Sequence, residues 1–174
     1  MKGGMDADMN LKENTKREKA RVEAVCSDRD GARIVLMGVP DVPGVAARVF
    51  SALAERAVGV EMIIQNNMRG GVTDIGFLVR QERLDDAISV CREVAKEIDA
   101  QGVSFSTEIA RVSISGSNLS EDAAIPSKMF SALAGAGVNI DMIVSNTHSV
   151  TCVVAAPAAE KAAEALRGKF LAHF

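Results

Sequence analysis

The sequence predicts an α+β fold made of two copies of one β-α-β-β-α-β unit. Three observations carry that reading. The string Phe-Ser-Ala-Leu-Ala occurs at Phe50–Ala54 and again at Phe130–Ala134. Val58, Met62, Ile63 and Asn66 return as Val138, Met142, Ile143 and Asn146. Around each copy the apolar period switches between two and 3.6 in the same order, as alternating strands and helices require.

The elements follow in chain order. Residues 1–20 are polar and charged, with Lys12, Glu13, Lys16, Arg17, Glu18 and Lys19 and no apolar period, and read as a flexible tail. Val22–Cys26 is a short apolar strand, and Ser27–Gly31 a turn by composition. Arg33–Val39 is a β-branched strand broken by Pro40-Asp41-Val42-Pro43-Gly44. Val45, Ala46, Val49, Phe50, Leu53 and Ala54 then form one helical face. Val58, Val60, Met62 and Ile64 alternate as a strand; a turn over Asn66–Gly71 uses Gly70-Gly71 for positive φ. Thr73, Ile75, Phe77 and Val79 form the hairpin partner, with Thr73-Asp74 read as a strand edge. Leu84, Ala87, Ile88, Cys91, Ala95 and Ile98 mark a second helix, ended by Gly102, and Val103–Ile109 a last strand.

The second unit repeats the order: a strand at Arg111–Ser115, a helix from Pro126 to Ala136, strands at Val138–Val144 and Val150–Ala155, and a helix over Ala158–Phe170. It offers no sixth strand, while Val22–Cys26 is spare upstream of the first. The economical arrangement gives that strand to the second sheet, because a bare sheet edge is costly. Each unit is then ferredoxin-like, four antiparallel strands with two helices on one face. The expected divisions are a tail at 1–20, a joining strand and turn at 21–31, a first unit at 32–110 and a second at 111–174. Ile63, Ile143, Leu36 and Leu78 lie on mixed or apolar strand faces, which calls for packing on the other unit or another chain.

Composition narrows the function. Of 174 residues, 48% are hydrophobic and 25% charged, as in ordinary globular chains, and the net charge is −3. That charge offers no field for nucleic acid or an anionic membrane, and the absence of Trp and Tyr removes the usual stacking platforms. No apolar run is long enough to span a bilayer and no signal peptide opens the chain, so a cytoplasmic location is expected. Cys26, Cys91 and Cys152 are isolated; they fit neither a disulfide framework nor a metal site and read as small core residues. There is no phosphate-binding GxxxxGK[ST] loop and no acid–base pair, so no catalytic residue, cofactor or metal is expected.

The segments GVPDVPGVAARVFSALA, VGVEMIIQN, VTDIGFLV and KMFSALAGAGVNIDMI resemble the paired ACT domains at the C-terminus of aspartate kinase. The likeness runs from near Val22 to Phe170 and includes a swapped strand like the one argued above. It implies the regulatory region of that phosphotransferase of ATP and L-aspartate, sensing threonine or lysine as end products of aspartate-family biosynthesis. It implies a homodimer through ACT contacts, with a kinase catalytic subunit as a possible partner. A structural dimerisation subunit that senses nothing is the alternative.

The first loop has chemistry suited to a free amino acid. A buried carboxylate needs donors and a buried ammonium an acceptor. Gly44, Val45 and Ala46 open a helix, so their N–H groups form an anion site. Asp41 is the acceptor beside it, and Pro40 and Pro43 stiffen the loop. The bland reading has Asp41 capping the helix or holding the turn. The resemblance adds Gln65 as a polar contact and has Asn139 with Ile140 closing the pocket from a second ACT unit. It also places Thr73-Asp74 near the effector. The second copy reads Asp122-Ala123-Ala124-Ile125-Pro126, without the glycine, and Val144–Thr147 lacks the glutamate the family carries there. One sensor loop per chain, in the first copy, is therefore expected. His148 reads as a solvated loop residue, and Met62, Met129 and Met142 as packing.

Overall fold

The computed structural model of the chain describes residues 20–67 and 70–172; the charged segment 1–19 lies outside them. The elements are β1 (Arg21–Asp28), β2 (Gly31–Pro40), α1 (Val45–Glu55), β3 (Glu61–Asn67), β4 (Val72–Arg80), α2 (Leu84–Glu97), β5 (Gly102–Ser106), β6 (Ile109–Ser117), α3 (Ala124–Gly135), β7 (Met142–Ser145), β8 (Ser149–Ala155) and α4 (Ala159–Phe170). One sheet has the order β3-β4-β2-β5 and the other β1-β6-β8-β7. These are the same ferredoxin-like order, with β1 standing in the second sheet where β5 stands in the first. Strand β1 runs antiparallel to β6, from Arg21 opposite Ser117 to Asp28 opposite Arg111. The spare strand does complete the second unit.

Several boundaries differ from the sequence expectation, each for a local reason. The strand expected at Val103–Ile109 ends at Ser106, and Ile109 opens β6 instead. Helix α2 does not wait for Gly102. It closes at Asp99, which takes φ 57°, while the Ala100 N–H donates to the Ala95 carbonyl at 2.9 Å; a short polar side chain tolerates this left-handed position. Strand β3 starts at Glu61 rather than Val58, because Val58 is spent on the same closure for α1, its N–H donating to Leu53 O at 3.0 Å.

Each unit has its own core. In the first, Ile34, Leu36, Val49, Leu53, Phe77 and Cys91 are buried between sheet and helices, with the Phe50 and Phe77 rings edge to face at 5.4 Å. In the second, Val112, Ile114, Met129, Leu133, Cys152 and Leu166 do the same. Leu36 thus lies on the helix side of its sheet, not on the free face. The free faces meet each other through Leu78, Ile109, Met142 and Val153, with Met62 and Ile64 packed against them.

Polar contacts flank this seam in a repeated pattern. Ala32-Arg33 with Gly38 in β2 matches Ala110-Arg111 with Gly116 in β6. Arg33 reaches Asp141 at the head of β7 at 3.4 Å, and Arg111 reaches Glu61 at the head of β3. Arg111 also pairs with Asp28 at the end of β1. A backbone hydrogen bond from Asp30, helped by Arg111, holds the Asp28 carboxyl below its ordinary range. Ile63 and Ile143, at equivalent places on the outer strands β3 and β7, stay 51% and 44% exposed.

The cysteines divide. Cys91 and Cys152 are core residues as expected, and burial pushes their thiols up to about 12 and about 11. Cys26 departs from the expectation: it faces solvent on β1. A thiol reagent at about pH 8 is expected to modify Cys26 alone in the native protein and all three cysteines after unfolding, because only accessible thiolate reacts; peptide mapping of the adduct reads this directly.

Candidate functional site

The Pro40–Ala46 loop lies at one end of the first sheet, between the tip of β2 and the start of α1. It is pinned from below, the Asp41 N–H donating to Gly71 O of the β3–β4 hairpin at 2.9 Å. Gly44 stands at the N-cap of α1 with φ 96°, and a Cβ there would meet nothing within 4 Å. Its requirement is therefore conformational, since the left-handed region penalises any L side chain. The open space beside it is what a ligand would use.

The loop encloses a cleft of about 360 Å³ lined by Pro40, Asp41, Val42, Pro43, Gly44, Val45, Ala46, Gln65, Thr73 and Ile75. Six of the residues expected from sequence, Asp41, Pro43, Gly44, Val45, Ala46 and Gln65, come together here. Arg48 N–H makes the first full helical bond, to Gly44 O at 2.9 Å, and the Val45 N–H reaches Val42 O only at 3.5 Å. Gly44, Ala46 and Ala47 have no backbone acceptor among the described residues. They leave a donor cluster at the positive end of the helix dipole. The Asp41 carboxylate is exposed, α1 has no side-chain cap, and neither carboxylate oxygen bonds a described residue. The capping alternative for Asp41 is thereby set aside.

Pro40 and Val42 complete the loop side of the cleft, and two β4 residues line it from the sheet: Thr73, which the resemblance had placed near the effector, and Ile75, which no expectation named. Thr73 is the one buried polar residue among those described, 1% exposed, its Oγ1 donating to Asn66 O at 2.7 Å. It is not a strand edge: β4 lies inside its sheet, between β3 and β2. Ile75 forms the apolar floor. Their period-two pattern revealed a strand, but which face became a cleft depended on the loop folding over it.

Asn139 and Ile140 lie before β7 in the second unit. Ile140 packs against the second core, Asn139 is exposed, and neither lines this cleft within the chain. The second unit's own loop is closed by its own side chain. Asp122 Oδ1 accepts the Ala124 N–H at 2.8 Å, and Ile125 is buried. A larger groove, about 450 Å³, follows α2 past Asp85, Arg92, Glu93, Lys96 and Phe105. It presents a solvated face of mixed charge rather than converging donors and an acceptor. His148 is exposed, as expected. No His, Cys, Asp or Glu grouping among the described residues could hold a metal, and no described helix is long and apolar enough to cross a membrane.

The ACT domain family model matches residues 34–94 and 112–170. The chain is 34% identical over 162 residues to an aspartate kinase of Pseudomonas fluorescens, covering 93% of this chain and 39% of that protein. It therefore spans well under half the length of such relatives. Among solved structures, the ligand-free regulatory subunit of aspartate kinase from Thermus thermophilus superposes with TM-score 0.82 at 38% identity, covering 86% of this chain and 98% of that one. A structure of aspartokinase alpha and beta subunits gives TM-score 0.81 at 31% identity, with 86% and 99% covered.

Proposed function

Because the chain belongs to the ACT domain family, in the tandem form of aspartate kinase regulatory subunits, we propose that it senses a free amino acid in the Pro40–Ala46 cleft and thereby restrains a kinase catalytic subunit. The carrying observation is the exposed Asp41 carboxylate beside the unpaired N–H groups of Gly44, Ala46 and Ala47. In this reading the ligand carboxylate caps α1 and its ammonium meets Asp41, with Gln65 as a further polar contact.

The lining favours threonine over lysine. Asp41 is the one carboxylate among the described residues lining the cleft, so a second ammonium would find no counter-charge among them. Thr73 and Gln65 suit a small hydroxylated side chain. The T-state structure of E. coli aspartokinase III holds lysine and aspartate, but at 20% identity that likeness is one of fold. Lysine therefore remains the second effector to test.

The exposed Ile63 and Ile143 on the outer strands support a homodimer through ACT contacts. Asn139 and Ile140 of a partner's second unit would then close the cleft. A cytoplasmic setting fits a regulator of amino-acid synthesis. Calorimetric titration with threonine, lysine and both, with aspartate and methionine as controls, is expected to give saturable binding of threonine. Absence of heat with every one of them would instead favour a structural dimerisation subunit.

A further inference from the structure

The two units treat the end of their first strand differently, and the difference falls next to the cleft. In the second unit the β6–β8 ladder runs without a break from Ile109 opposite Ala155 to Ser115 opposite Ser149. The Gly116 N–H then donates to the His148 carbonyl at 2.9 Å. In the first unit the ladder breaks at the matching place. Leu36 stands opposite Ile75 and Val39 opposite Thr73, so Met37 and Gly38 share the single partner Asp74. That is a β-bulge. The Gly38 N–H, matching that of Gly116, is taken by a side chain: Asp74 Oδ1 at 2.8 Å.

The bulge resets the inward parity of β2. Ile34 and Leu36 point into the core before it, and Val39, also fully buried, after it. Were these residues paired in a regular ladder with no bulge, Gly38 and Pro40 would take the inward positions, and the loop that follows would leave on the other face of the sheet. Gly38 itself has φ 59° and lies under the Gln101 side chain, which a Cβ would strike at 2.3 Å. Asp74 is only partly buried and also lines a cavity of about 170 Å³ between the units, with Arg33 and Asp141.

We infer that Asp74 is a positioning residue for the amino-acid cleft: its carboxylate holds the Met37–Gly38 bulge that aims the Pro40–Gly44 loop. This rests on the binding role proposed above, and the test separates the two. Threonine is titrated into the wild-type chain, Asp74→Ala and Asp74→Asn, and amide hydrogen exchange is followed without ligand. The Asn variant keeps an acceptor oxygen at the same reach. Affinity is expected to fall about tenfold or more in Asp74→Ala and to return to within about threefold of wild type in Asp74→Asn. Exchange should quicken in Asp74→Ala from Gly38 to Ala46 and stay unchanged in β5. Lower thermal stability with unchanged affinity and unchanged loop exchange would overturn the assignment. If wild type binds none of the amino acids but the loop still loosens in Asp74→Ala, the binding reading fails and the positioning of the loop stands. If Asp74→Ala does not fold, Asp74→Ser, whose hydroxyl is too short to reach Gly38, is measured in its place against the same outcomes.

Discussion

Replacing Asp41 by alanine is expected to weaken threonine binding by about 30- to 150-fold while leaving the free protein's stability within about 0.5 kcal/mol of wild type. The two halves of this expectation come from one observation. The carboxylate is exposed and bonds no described residue, so its removal costs the unliganded fold little. In the proposed complex it is the one group among the described lining residues that can neutralise the ligand's ammonium, and a charge-assisted bond in a half-enclosed cleft is among the stronger single contacts. Titration calorimetry and a thermal melt on the same preparations measure both. A helix-capping Asp41 would give the reverse pattern, roughly 1 kcal/mol of lost stability with affinity intact. Asp41→Asn should fall between wild type and Asp41→Ala, because it keeps the shape and an acceptor oxygen but not the charge.

The second unit supplies an internal control for that argument. Its Asp122 lies in the matching loop but folds back on the Ala124 N–H at 2.8 Å. The donor is consumed and the acceptor occupied, and Ile125 fills the space behind. Threonine binding should therefore saturate at one molecule per chain. The contrast is local geometry: Gly44 turns the chain through positive φ and leaves the helix end open, whereas Ala123 and Ala124 continue into α3 in ordinary helical conformation.

The duplicated unit and the spare strand were legible because they rest on long apolar periods and a recurring string, Phe-Ser-Ala-Leu-Ala, which many residues enforce together. The loop's chemistry was legible in part: Asp41, Gly44 and the residues opening α1 are neighbours in sequence, so their meeting needed no tertiary knowledge, and the resemblance supplied Gln65. What escaped was set by register. The resemblance put Thr73-Asp74 near the effector, yet it did not say that Thr73 lines the cleft while Asp74 holds the bulge behind it; adjacent residues of one strand reveal that division only once the partner strand is known to carry one residue more. Helix closure at Asp99 was hidden for a similar reason: glycine is the usual left-handed residue, and Gly102 lay close enough to look like the stop. Asn139 and Ile140, named through the resemblance alone, do not meet the cleft within one chain.

Removing β1 is expected to have the largest effect on stability, confined at first to the second unit. A chain beginning at residue 30 is compared with one beginning at residue 20, so that only the strand differs. In the intact protein β1 borders β6 along almost its whole length, Val22 is buried in the second core, and Ala20 and Val25 pack against it. Loss of one buried valine side chain alone removes about 1.5–3 kcal/mol of apolar burial, and the stripped β6 edge adds unsatisfied backbone groups. Together at least about 3 kcal/mol is expected to leave the second unit. Amides of β6, β8 and α4 should lose protection against exchange before those of β2 and β4, whose ladder does not touch β1. A synthetic peptide of residues 20–30 should restore the melting temperature in trans in a concentration-dependent way, since strand addition supplies the same main-chain bonds. Equal melts for the two chains would mean that the second sheet stands on three strands alone. The strand's position makes that outcome hard to accommodate: β1 lies in one sheet and β2, a two-residue turn away, in the other. The same short connection that completes the second unit also fixes it to the first, with Arg111 gripping both Asp28 of β1 and Glu61 of β3. Losing β1 therefore weakens the second core and the seam between the units together, which is why the cost should exceed that of any single core substitution on the same sheet.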